Sequence, residues 1–229
     1  MSDLGVSMTA NLYQVRIWDL PTRLFHWLLA LAVVGLLVTG KIGGDAVVWH
    51  ARLGYCVGAL VLFRLIWGLL GGHWSRFSSF TPAPLSAWNY MRGRVQAPFA
   101  GHNPLGVLSV YAMLGFLLLQ VISGMFSENK DDFSGPLAVL VSNSTVHWLT
   151  GYHRKVGQWV LIGLVVIHLS AISYYALRGQ NLVAPMLSGD KLWPKSIPSS
   201  RDDARSRFGA LVVLALCATA VWGLVKFGG

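Results

Sequence analysis

The sequence predicts an all-α integral membrane protein, an antiparallel four-helix transmembrane bundle with a fifth transmembrane helix at its C-terminal end. Three observations lead there. Of 229 residues, 54% are hydrophobic and only 12% charged, and the mean hydropathy of +0.55 exceeds what a soluble core requires. Five apolar runs, 24–39, 47–70, 105–126, 157–177 and 208–227, each approach the ~20 residues that cross hydrocarbon as a helix. Histidines recur within or beside these runs at matched depths.

The runs show no alternation with period two, and a lipid-exposed backbone must satisfy its hydrogen bonds within a helix or closed barrel, so strands are a poor reading. The first run is long for a secretory signal and no Ala-x-Ala cleavage pattern follows it, so it reads as a retained span. The formal net charge of +9 does not indicate nucleic acid, because the basic residues sit in loops between apolar spans. Arg16 and Arg23, then Arg76, Arg92 and Arg94, then Arg178, Lys191, Lys195, Arg201, Arg205 and Arg207 fall in loops that share one side. The opposite loops mix Lys41 with Asp45, and Lys130 with Glu128, Asp131 and Asp132, with Arg154 and Lys155 close to the membrane. The rule that positive loops stay inside then predicts a multi-pass chain with a cytoplasmic N-terminus and a periplasmic C-terminus, and the expected location is the bacterial inner membrane.

No soluble domain is evident, so 1–229 reads as one membrane domain: a four-helix core over 1–177, a cytoplasmic loop over 178–207 and an extra span over 208–227. Within the core, Leu85, Trp88, Met91 and Val95 follow Pro82 and Pro84 at helical spacing while Arg92 and Arg94 take another face, which predicts an interfacial helix over 82–95. The 178–207 loop holds Pro185, Pro194 and Pro198 among serines and charges and is expected to be irregular and mobile. The fifth span contains no histidine, so it reads as an add-on for packing or docking.

Cys56 and Cys217 lie in separate spans and cannot form a Cys-x-x-Cys-His attachment site; both read as small buried hydrophobes. Histidine in hydrocarbon is costly and tends to mark function, yet His26, His50, His153 and His168 lie within or at the edges of three spans. Fifteen residues separate His153 from His168, which is roughly 22 Å along a helix and about 60° in azimuth. One helix thus offers an imidazole to each leaflet, and depth matches His50 with His153 near the periplasm and His26 with His168 nearer the cytoplasm. Each pair could clamp a haem iron, noncovalently, which gives two haem b groups per chain with bis-histidine ligation.

Gly54 and Gly157, each four residues after its histidine, would clear a helix face for a flat macrocycle, and Ala30 after His26 would do so less completely. Haem propionates want basic partners: Arg52 or Arg154 at the outer site, Arg23 or Arg64 at the inner one. Arg64 lies fourteen residues beyond His50, roughly 21 Å deeper and level with His26 and His168; its alternative is to snorkel to the surface. His102 is expected to bond a propionate, pass a quinone-linked proton or meet water. His147 would replace His153 if the fourth helix begins earlier, and His73 beside Trp74 reads as interfacial.

The sequence resembles the bacterial cytochrome b561 family, which includes the cytochrome b subunits of nickel-iron hydrogenases. The resemblance covers the first four spans. It rests on Trp18-Asp19-Leu20-Pro21-Thr22-Arg23-Leu24-Phe25-His26-Trp27, on Trp49-His50-Ala51-Arg52-Leu53-Gly54-Tyr55, on Gly101-His102-Asn103-Pro104-Leu105-Gly106 and on the histidine pair of the fourth helix. It implies a four-helix bundle holding two haems ligated from the first, second and fourth helices, with His26, His50, His153 and His168 in the ligand positions, and electron exchange with membrane quinone. The fifth helix departs from the simplest family pattern.

Two histidines per iron would leave no open coordination position, so outer-sphere electron transfer is the expected chemistry. The expected partners are membrane lipid, quinone as a diffusible redox substrate, and a periplasmic redox protein such as a c-type cytochrome; association with a second copy is left open. A superoxide oxidase feeding quinone is the alternative the resemblance allows, with Arg52, Arg154 and Lys155 as an anion funnel opposed by Glu128, Asp131 and Asp132. A zinc hydrolase built on His50, His147 and His153 lacks a His-Glu-x-x-His helix and a carboxylate base.

Overall fold

The computed structural model describes residues 12–95, 98–129 and 133–228. Five helices are long and apolar enough to cross a membrane. Helix α1 (Leu20–Ile42) starts where the Asp19 carboxylate accepts from Thr22 N, with Pro21 in the first turn, and stops at Gly43. Gly43 and Gly44 both have positive φ, 67° and 52°, so the tight turn into α2 (Ala46–Leu70) asks for two residues without a Cβ. Short α3 (Pro84–Met91) lies inside the interval expected to be interfacial; Leu85, Trp88 and Met91 face outward, and the Arg92 guanidinium sits 4.4 Å over Trp88. Helix α4 (Pro104–Met125) repeats the α1 start, with Asn103 accepting from Gly106 N ahead of Pro104.

The fourth span departs from expectation. Ser142 caps α5 (Asn143–Gly151), which runs through a π turn at Tyr152–Gly157 into α6 (Gln158–Leu177). The rod of 35 residues begins at Asn143 rather than near Gly157. At 1.5 Å per residue it is about 50 Å long, well beyond a ~30 Å hydrocarbon core, so its polar first turns stand outside the layer that hydropathy detects.

After α6 come α7 (Val183–Ser188), strand β2 (Asp190–Trp193) and the last span α8 (Ala204–Gly228). Helix α8 is no appendage. Its Ala210 and Cys217 share one core cluster with Leu60, Phe63 and Trp67 of α2 and Leu114 of α4, and Val221 packs on Ala59 and Met125. Small residues on its inner side allow that approach, while Phe208, Leu216, Trp222 and Phe227 face outward as lipid-facing side chains would. Cys56, expected to be buried, is exposed on the bundle surface.

The 178–207 interval was expected to be irregular and mobile, and it is instead tied down. Strand β1 (Tyr13–Arg16) pairs antiparallel with β2, Arg16 opposite Asp190, and forms a cap over the end of the bundle where the chain enters. Gly189, at φ 90°, ends α7 and turns its carbonyl to Ile17 N and Trp18 N at 2.9 and 3.0 Å. Ser200 Oγ donates to Ile17 O at 2.8 Å, and Trp74 Nε1 donates to Pro198 O at 2.7 Å. The prolines block regular structure, but side chains and backbone of the N-terminal segment supply the hydrogen bonds that a helix would have supplied.

Asp202 organises the cap. Its carboxylate, 6% exposed, accepts from Arg16 Nη1 at 2.5 Å, Leu20 N at 3.1 Å and Arg207 Nε at 3.0 Å. Burial opposes its ionisation, but the hydrogen bonds from Arg207, Leu20 and Arg16 outweigh burial and hold its pKa below the ordinary aspartate value. A depressed carboxyl contributes stability that is complete above its unfolded pKa of about 4 and is lost as pH falls through the folded value. Hydrogen exchange in 13–16 and 190–193, corrected for intrinsic rate, is therefore expected to rise below about pH 4 while the spans stay protected. Asp202→Asn should reproduce that loosening at pH 7, at a cost of about 1–3 kcal/mol.

Candidate cofactor site

Two pairs of imidazoles meet between the spans. At the end remote from the cap, the far site, His50 of α2 faces His153 of the π turn with ring centroids 6.1 Å apart. At the capped end, the near site, His26 of α1 faces His168 of α6 with centroids 6.4 Å apart. Two imidazoles sharing one metal, with metal–nitrogen bonds of about 2.0–2.1 Å and about 1.1 Å from nitrogen to ring centre, would have centroids roughly 6.3 Å apart. Both pairs fit that spacing. The interplanar angles, 87° and 52°, are free to differ because each ring can rotate about its bond to a central metal.

The far pair is also oriented. His50 Nδ1 lies 3.1 Å from Leu36 O and 3.3 Å from Thr39 Oγ1, and His153 Nδ1 lies 3.0 Å from Gln120 O and 3.2 Å from Ser123 Oγ. A carbonyl only accepts, so each Nδ1 carries the proton and each Nε2 keeps its lone pair for a metal. A cavity of about 450 Å³ opens beside the pair, lined among others by His50, His153, Gly54, Lys41, Glu128 and Arg154. That volume lies within the range of cofactor clefts.

The π turn places His153. One π turn absorbs roughly one residue of advance, so its azimuth relative to His168 moves from about 60° on one side to about 40° on the other. Both rings still face the bundle. Although the helix begins early, His147 is exposed and does not take the place of His153. Among the described residues no group of three or more His, Cys, Asp and Glu side chains converges, so His50, His147 and His153 do not form a three-ligand metal site.

The glycines divide differently from expectation. A Cβ on Gly54 would meet nothing within 4 Å and would enter the cavity, as a cradle for a flat group requires. Gly157 instead faces Gln120 and Tyr152, so its missing side chain admits α4 rather than a macrocycle. Two glycines that the sequence reading passed over seat the rings: a Cβ on Gly40 would lie 3.2 Å from His50 Cε1, and one on Gly124 would lie 2.9 Å from His153 Cε1. Gln120 adds a hydrogen bond from Nε2 to His153 O at 2.9 Å inside the π turn. A small residue directly after Thr or Ser near a span end was the available signal.

The basic residues also sort. Arg154 lines the far cavity, whereas Arg52 does not; its guanidinium lies 5.0 Å over Trp49. Arg23 serves the cap, with Nη1 donating to Leu187 O and Nη2 3.9 Å from Asp202, while its buried Nε has no partner. Arg64 does not snorkel: it is 4% exposed, lies 4.8 Å over Phe77, and leaves Nη1 buried and unpartnered. His102 is half-buried. Its ring lies between Trp18 at 4.7 Å and Phe80 at 4.8 Å, with Nδ1 unpartnered. Burial, then the charges of Arg64 and His168, push its pKa down to about 3, so it is neutral at physiological pH. His73 packs edge-on against Trp74 at 5.0 Å.

Asp19 locks this end together. Fully buried, it accepts from Thr22 N at 2.9 Å, Trp67 Nε1 at 3.2 Å, Gly72 N at 3.0 Å and Ser75 Oγ at 2.8 Å. The position was legible as a helix cap ahead of Pro21, but its partners 48 to 56 residues away were not.

Gly124→Val tests the seating of His153. With the ring displaced, purified chain is expected to lose whatever group the far pair binds, read for a haem as a lower pyridine haemochrome yield than wild type, while circular dichroism keeps its helical signal.

A family model described as prokaryotic cytochrome b561 matches residues 17–189. The chain is similar to curated proteins named probable Ni/Fe-hydrogenase B-type cytochrome subunit. The one from Bradyrhizobium diazoefficiens is 24% identical, covering 77% of this chain and 85% of the relative. That from Azotobacter chroococcum is 26% identical over 80% and 91%, and that from Cupriavidus necator is 28% identical over 76% and 85%. No solved structure gives a significant match.

Proposed function

The chain belongs to the prokaryotic cytochrome b561 family, and from that premise we propose that it carries electrons across the bacterial inner membrane between quinone and a redox partner protein, through two haem b groups each gripped by two histidines. The coarser part stands on the family itself: this is a multi-pass membrane cytochrome of b type, and its work is electron transfer. The observation that carries the finer reading is the pair of imidazole separations, 6.1 and 6.4 Å, each bridging different helices.

His50 and His153 would hold one haem and His26 and His168 the other, with the two centres about 20 Å apart along α6. When bound, haem supplies a reversible one-electron couple. The protein's own residues bind, orient and insulate. Leu36 O and Gln120 O fix which nitrogen of each far imidazole is free. At the near site the orphaned Arg64 Nη1 and Arg23 Nε are donors that a propionate carboxylate would satisfy, as would His102 Nδ1 in the tautomer that carries its proton there, and buried polar groups without partners call for such an explanation. At the far site Arg154 and Lys41 are the cations within reach of the cavity.

The basic excess around the cap supports a cytoplasmic N-terminus. For quinone, a second cavity of about 830 Å³ at the capped end lies among α3, the start of α4 and the end of α6. Tyr175 there bonds Tyr90 OH at 3.0 Å and Asn103 Nδ2 at 2.7 Å, and it stands seven residues after His168 on nearly the same helix face. The partner protein is then placed at the far end. The relatives are named as hydrogenase subunits, so a hydrogenase joins a c-type cytochrome as the class of partner. No observation favours the superoxide alternative.

The experiment is a pyridine haemochrome assay on the purified chain and its histidine variants. Two haem b per chain are expected. His50→Ala and His153→Ala should each lose the same one, and His26→Ala and His168→Ala the other; a single haem in the fully loaded chain, or losses in crossed pairs, would overturn the assignment. Tyr175→Phe is expected to raise the KM for quinol several-fold with little change in haem content.

A further inference from the structure

The two halves of the far site are copies of one pattern. Twenty residues separate the helix cap Asp19 from Thr39-Gly40, and twenty separate the cap Asn103 from Ser123-Gly124. Each of these helices is followed by a partner that runs back and carries an aromatic residue, a histidine, any residue, a basic residue, an aliphatic residue and a glycine: Trp49-His50-Ala51-Arg52-Leu53-Gly54 and Tyr152-His153-Arg154-Lys155-Val156-Gly157. Parallel repeats about an axis along the membrane normal are a known way of building such bundles.

The contacts repeat as well. In each copy the histidine Nδ1 faces the carbonyl of the residue three before the hydroxyl, at 3.1 Å for Leu36 and 3.0 Å for Gln120. In each copy the hydroxyl is the second neighbour of Nδ1, at 3.3 Å for Thr39 and 3.2 Å for Ser123. In each copy the following glycine admits the ring. Both hydroxyls spend their own proton on helix carbonyls, Thr39 on Gly35 O at 2.7 Å and Ser123 on Gln120 O at 3.0 Å. Their lone pairs are therefore what Nδ1–H meets. The near site has no such device: His26 Nδ1 is buried without a partner.

We propose that Thr39 and Ser123 are equivalent positioning residues, one from each copy of a duplicated helix pair, that act through Nδ1 of His50 and His153 to orient the far haem's ligands and tune its reduction potential. This rests on the reading that a haem is held between His50 and His153. Accepting the Nδ1 proton raises the basicity of Nε2, which favours the oxidised metal. Removing a hydroxyl leaves only the shared carbonyl as acceptor and weakens that donation.

The test is a spectroelectrochemical titration of the haem-loaded chain, with low-temperature electron paramagnetic resonance of the ferric form. The far haem is identified as the one missing from His50→Ala. Thr39→Val and Ser123→Ala are each expected to raise the far midpoint potential and shift its low-spin signal, the double variant to shift it further, and the near haem to stay put. The exchanges Thr39→Ser and Ser123→Thr, which keep the hydroxyl, should restore wild-type values. An unchanged far midpoint in either single variant, or equal shifts at both haems, overturns the proposal. If His50→Ala keeps two haems, the ligation reading fails and this proposal falls with it; if it loses one while the hydroxyl variants are silent, ligation stands and only the positioning role is refuted.

Discussion

An imidazole placed in hydrocarbon has two nitrogens to satisfy, and the bundle is arranged around how that is done. A helical backbone has few carbonyls to spare. At the far site the need is met at the last turns of α1 and α4, where Leu36 O and Gln120 O each turn to an Nδ1. Once Nδ1 is satisfied, Nε2 keeps its lone pair, and the two rings stand on different helices with the centroids 6.1 Å apart. Helix phase, glycine placement and the π turn all follow from meeting those demands together. A side chain at Gly124 would run into the His153 ring, and one at Gly40 would press on the His50 ring.

The near site meets the same need by another route. There the buried polar atoms Arg23 Nε, Arg64 Nη1, His26 Nδ1 and His102 Nδ1 have no partner within the described residues. An unmet polar group in an apolar interior costs free energy of about 1–3 kcal/mol, and Arg64 and His102, close enough for their charges to interact, stand in that position together. The Arg64 guanidinium lies against Phe77, whose ring approaches the backbone at Gly68, and Phe77 packs on Phe80 and Tyr111. Bulky aromatics thus keep water from the charge, which strengthens whatever electrostatic interaction it makes.

Much of this was legible in the sequence. Five spans, the adjacency of His50 with His153 and of His26 with His168, and the depth of Arg64 follow from counting residues at fixed rise. What failed to show was whatever depends on a partner distant in sequence or on a local departure from α geometry. The early start at Asn143 carries a Ser142 cap but no apolar signal. A π turn has no composition of its own, and it moved Gly157 from the cavity to the α4 contact. Arg52 and Arg154 look alike as basic neighbours of histidines, and only packing sends one onto Trp49 and the other to the cavity. The proline-rich 178–207 interval read as loose because its partners, Arg16 and the backbone of Ile17, precede it by more than 170 residues.

The two ends of the bundle consequently differ in mechanical character. At the capped end Asp19 joins the start of α1 to Trp67, Gly72 and Ser75, and Asp202 joins the same start to β1 and α8. Shifting α1 there would break several charge-assisted hydrogen bonds at once, each about twice as strong as a neutral one. At the other end α1 and α2 are joined by the tight turn at Gly43 and Gly44 and by the neutral bonds of His50 Nδ1 to Leu36 O and Thr39 Oγ1, and the cavity walls include Glu128 from the loop after α4. A redox site that must keep its spacing while a partner docks gains from this division. The anchor at the capped end sets the place of His26 and the phase of α1, and the continuous rod from Asn143 to Leu177 carries His153 and His168 together, so the spacing of the two pairs is fixed by helix geometry.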